Sequence, residues 1–72
     1  MTDREWIALF AARLGVEPPT DEETDDLLAL AAIAAHASER TAAPVACWLA
    51  ARAGITPSDA RPIAEAVAPS EG

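Results

Sequence analysis

The sequence predicts an all-α protein, a compact bundle of four short helices forming one domain over residues 1–72. Three observations carry that prediction. Apolar residues recur at helical spacing along most of the chain. Thr-x-x-Glu starts and glycine stops punctuate the pattern. No stretch alternates apolar and polar residues as a half-buried strand does. The helices are expected at about 3–14, 22–38, 43–53 and 57–67, with a flexible tail at 69–72.

The first helix opens on Thr2 and Glu5, a capping box in which each side chain satisfies a free N–H of the other residue's backbone. Trp6, Leu9, Phe10 and Leu14 follow at near-helical spacing, and Gly15 is a left-handed stop. The linker GVEPPT (15–20) is held extended by two prolines. Thr20 and Glu23 offer a second capping box, with Thr24 as a competing N-cap. The acidic run DEETDD (21–26) reads as a solvated first turn that complements the helix dipole rather than as a binding feature. Leu27, Leu30, Ala34 and Ala37 form one stripe, flanked by Leu28 and Ile33, and alanines fill most of the rest. A helix that is apolar nearly all round is buried on several sides, so the second helix is expected at the centre.

RTAAP (40–44) breaks the pattern. Pro44 disfavours a helical Ala43 but suits a helix start. The third helix places Val45, Trp48, Leu49 and Arg52 on one face, with Cys47, Ala50 and Ala51 on an adjacent one. Trp48 is assigned to the core, and Trp6, in the first turn of its helix, is expected to be half exposed. Gly54 and Ile55 end this helix. Thr56-Pro57 with Asp59 starts the fourth, where Ala60, Ile63, Ala64 and Val67 recur at i, i+3, i+4 and i+7. Pro62 should kink that helix or delay its start.

Composition excludes several function classes. The net charge is −7, and all five basic residues are scattered arginines. A nucleic-acid binder needs a basic stripe to meet phosphates, and an anionic membrane surface needs cations near it; neither is expected as a partner. The lone Cys47 has no internal disulfide partner, which fits a reducing cytoplasm. MTDREW is not a signal peptide, and LLALAAIAA (27–35) is too short to span a bilayer. A chain this small buries a modest share of its surface, so partner binding or self-association would add to its stability.

The residues with chemistry cluster in AHASERTAAPVAC (35–47), which holds the only histidine and the only cysteine. A Cys47–His36 pair is the sharpest enzymatic reading, as a small cysteine-dependent enzyme or thiol sensor. Against it, Cys47 lies on an alanine-rich face where a cysteine acts as an inert small hydrophobe. One Cys and one His do not close a tetrahedral zinc site, so no metal or cofactor is expected. His36 and Arg40, four apart, would share one face at the C-terminal end of the second helix. There they either meet free carbonyls and the dipole, or bind a phosphate or carboxylate of a partner together with Arg52. Trp6 is a further interface candidate. An acyl-carrier-like reading fits size and charge, but TDDLL (24–28) lacks the serine that carries the prosthetic arm.

Taken together, Trp6, Leu14-Gly15, Ala35-His36, Arg40, Ala43-Pro44 and Gly54 resemble a small actinobacterial domain of unknown function, DUF6457. Two features depart from its pattern: the polar ASE link between His36 and Arg40, and Cys47-Trp48 after the proline. Domains of this kind also occur appended to molybdenum cofactor guanylyltransferases. The resemblance therefore implies a non-catalytic accessory or protein-interaction domain in molybdenum cofactor biosynthesis. Its partner would be an enzyme of that pathway, with His36, Arg40, Arg52 and Trp6 as the candidate contacts.

Overall fold

A computed structural model of the chain describes residues 1–67, and positions 69–72, expected above to fray, lie outside them. Four helices follow in order: α1 (Asp3–Leu14), α2 (Asp21–Ala37), α3 (Ala42–Ala53) and α4 (Pro57–Ala66). There is no strand among the described residues.

Local hydrogen bonding explains the boundaries. At α1 the Thr2 Oγ1 accepts from the Glu5 N–H at 3.1 Å, and the Glu5 carboxylate accepts from the Thr2 N–H at 2.7 Å. Thr20 and Glu23 repeat the arrangement at α2, at 3.0 and 2.8 Å. Thr24 does not compete for the cap. It is buried one turn inside α2, where its hydroxyl donates to the Thr20 carbonyl at 2.9 Å. Gly15 and Gly54 take left-handed φ values of 77° and 76°. In each case the next residue's N–H reaches back to close the turn, Val16 to Ala11 and Ile55 to Ala50.

Helix α3 starts within one residue of its expected limit. Ala43 is helical although Pro44 follows it, because the N–H groups of Ala42 and Ala43 donate to Glu39 and Arg40 in a tight turn before the helix proper. Pro44 then occupies the first turn, where its missing N–H costs nothing. Thr41 holds the N-cap position with helical backbone and no side-chain bond. At α4, Thr56 caps through the Asp59 N–H at 3.0 Å, and the helix runs from Pro57 through Pro62 without a delayed start.

Helix α2 is central: it packs against both α3 and α4, which touch each other less. The core is made of small residues. Leu30 (2% exposed) meets Ala50 and Ala60, with Cys47 and Ala64 packed beside them. No Cα of α1 comes within 8 Å of another helix. Helix α1 is held instead by Arg4, whose guanidinium pairs with Asp21 at 3.0 Å and Asp25 at 3.9 Å.

The burial pattern corrects the expected core. On α3 and α4, Ala50 and Ala60 face inward with Ala46 and Ala64 half-buried beside them, and the large apolar residues face out. Trp48, assigned above to the core, is 58% exposed, and Val45, Leu49, Ile63 and Val67 are also exposed. On α1, Ala11 is buried while Trp6, Leu9, Phe10 and Leu14 face solvent. The physical reason is the close approach of α3 and α4 to α2. Helices meet at the shortest separation through small side chains, and alanine stripes supply that contact on α2, α3 and α4 alike.

Candidate functional site

Each candidate residue has a definite place, and the four are not gathered into one pocket. His36 lies in the last turn of α2 and is exposed, beside Ile33, Ala64, Glu65 and Val67. Arg40 lies in the turn after it, because α2 ends at Ala37. The shared helix face expected for these two residues therefore does not form. The capping role proposed for them is not seen either. The Ser38 N–H and hydroxyl both bond to the Ala34 carbonyl, and neither the His36 nor the Arg40 side chain makes a hydrogen bond or ion pair among the described residues.

Arg52, in the last turn of α3, lies over the ring of Trp48 one turn earlier, 5.1 Å from its centroid. Val45 extends the same ridge toward the N-terminus of α3. The pair is worth about 0.5–1 kcal/mol at an exposed site, a few-fold bias of both side chains toward this arrangement. Trp6 sits apart on α1 and stacks on Phe10, with ring centroids 5.0 Å apart and an interplanar angle of 29°.

Cys47 and His36 are separated. The Cys47 thiol points to the Leu27 carbonyl at 3.8 Å. Leu27 precedes His36 by nine residues on α2, a rise of about 13 Å. Burial also pushes the Cys47 thiol above its ordinary range, which disfavours the thiolate a nucleophile needs. Cys47 lines a cleft with Leu27, Ala50 and the prolines of the α1–α2 linker, but no imidazole or cation shares that cleft.

The acidic run is used internally. Glu23 closes the α2 capping box, Asp21 and Asp25 hold Arg4, and Asp26, only 21% exposed, holds Arg61 at 2.9 Å. No group of three or more His, Cys, Asp or Glu side chains is placed to hold a metal ion among the described residues. Among the described residues, no helix is long and apolar enough to cross a membrane.

The feature that reading the chain residue by residue missed is the outward ridge of Val45, Trp48 and Arg52. Its signal was present as a helical stripe, but a second, alanine-rich stripe on the same helix competed for the core.

Comparison with known proteins adds one finding. The model of the family described as a domain of unknown function, DUF6457, matches residues 2–70. No curated protein and no solved structure matches the chain.

Proposed function

The chain belongs to the DUF6457 family, and from that premise we propose that it is a non-catalytic protein-interaction domain whose partner docks on the outer ridge of α3. The observation that carries this reading is Trp48, 58% exposed at mid-helix with Arg52 laid over its ring. Tryptophan and arginine are the residues most enriched among interface anchors. A tryptophan biased toward one arrangement by a neighbour loses somewhat less entropy on binding. Arg40, with no ion-pair partner among the described residues, lies in the turn that leads into α3 and suits a carboxylate or phosphate on the same partner, with His36 at the end of α2 as a more distant contact. The family resemblance set out above points to molybdenum cofactor maturation, so a molybdenum cofactor guanylyltransferase in the cytoplasm is the partner to test first.

The test is direct titration of the purified chain into that enzyme by calorimetry. Trp48→Ser with Arg52→Ala should weaken binding by about tenfold or more, and His36→Ala with Arg40→Ala should weaken it to a lesser degree. Neither change should move the thermal midpoint by more than a few degrees, because all four side chains lie on the surface. Undiminished binding by the ridge variant, or no binding by the parent, would overturn the reading.

A further inference from the structure

Away from the α3 ridge, two apolar surfaces remain uncovered, and their shapes are complementary. One is convex: the outward stripe of α1, where Trp6, Leu9, Phe10 and Leu14 are each about half exposed. The other is a groove between α3 and α4. Leu30, Ala50 and Ala60 form its floor, Leu49 and Ile63 its walls, and no charged side chain lines that part of it. It continues past Ala46 and Ala64 to Ile33 and Val67. The chain's own α1 does not fill it: none of its Cα atoms lies within 8 Å of α3 or α4, and its Arg4 pairs with Asp21 and Asp25 at the N-terminal end of α2.

We propose that the occupant is a second copy of this chain, with α1 of each protomer lying in the α3–α4 groove of the other. Three observations favour a second copy. The first is area. Trp6, Leu9, Phe10 and Leu14 on the stripe and Leu49, Ile63 and Val67 along the groove are each about half exposed or more, and reciprocal docking covers both sets on each chain, an area of the order of the ~800 Å² that each partner contributes to a stable interface. The second is charge. A chain of net charge −7 repels its copy, but the acidic run that supplies much of that charge is on the first turns of α2, not on the stripe or the groove. Asp3 and Arg13 are the charged residues on the stripe and offset each other, and no charged side chain lines the groove, so neither surface carries a net charge that opposes the contact. The third is fit. Helix α1 has 12 residues, a length of about 18 Å, and α3, also of 12 residues, is as long. A helix laid along α3 and α4 over Leu30 completes a four-helix packing unit, and reciprocity closes the assembly on a two-fold axis while leaving the α3 ridge of Val45 and Trp48 free on each protomer.

Sedimentation equilibrium of the full chain across a range of concentrations tests this, with the expected mass that of two chains. Phe10→Glu should abolish the dimer by charging the stripe, and Ile63→Glu should abolish it by blocking the groove. Mixing the two variants should restore a one-to-one dimer, because an intact α1 then meets an intact groove. As a second measurement that tolerates poor folding of a charged variant, Phe10→Cys and Ile63→Cys chains, both in a Cys47→Ala background, are mixed and oxidised. A disulfide between the two different variants, in preference to like pairs, is expected. A parent chain that stays monomeric overturns the proposal. So does an Ile63→Glu chain that stays dimeric while Phe10→Glu does not, since that pattern means α1 packs on α1. Neither result touches the proposed function, which is read through Trp48 and Arg52 in the titration.

Discussion

Leu30 is the one large side chain that the described residues bury, and its neighbours are alanines and a cysteine that cannot swell to fill a gap. Leu30→Ala should therefore cost about 2–5 kcal/mol, most or all of the stability of so small a domain. Circular dichroism should show the helical signal lost or its midpoint sharply lowered. Cys47 gives a second test at this scale. Burial raises its pKa above the unfolded value, so the folded state holds its proton to higher pH than the unfolded one. That contribution is fully present below the ordinary thiol range, near pH 8.5. It is lost as pH rises through the folded pKa. The parent's thermal midpoint should fall across that alkaline window, and Cys47→Ala should flatten the fall.

The individual helices are set by bonds between residues three to five apart, and these were legible. Both capping boxes, both glycine stops and the Thr56-Pro57 start form as the spacing predicts, and each helix ends within one residue of its expected limits. Thr20→Ala removes the hydroxyl that accepts the Glu23 N–H and should cost about 1 kcal/mol, read as a lower denaturant midpoint at unchanged slope. Two prolines lie within helices without interrupting them. Pro44 did not hold Ala43 out of the helix, because the carbonyls of Glu39 and Arg40 were close enough to bind the first N–H groups of α3. Pro62 did not delay α4. It is exposed, so the Ser58 carbonyl that a helical N–H at that position would satisfy is near solvent.

At the scale of the molecule, the arrangement of faces was not legible. Helix α3 has two apolar stripes, one of Val45, Trp48 and Leu49 and one of Ala46, Cys47 and Ala50. Hydrophobic size favours the first for the core, and the structure buries the second. The same inversion on α1 and α4 leaves a large apolar area facing outward. The titration and the sedimentation experiment ask what covers it: a partner on the α3 ridge, and a second copy on the α1 stripe and the groove. The candidate site shared this limit. His36, Arg40, Arg52 and Trp6 were each identified as cationic or aromatic surface candidates, but their separation over three helices and a turn depends on where α2 stops and which way α3 turns.

The sequence alone therefore determined the all-α class, the four helices and their ends, because capping and helical periodicity are local and each is encoded within a turn or two. Only the tertiary structure decided which apolar face of each helix turns inward. That choice depends on how closely two helices approach across the bundle, and alanine permits a separation that tryptophan and leucine do not.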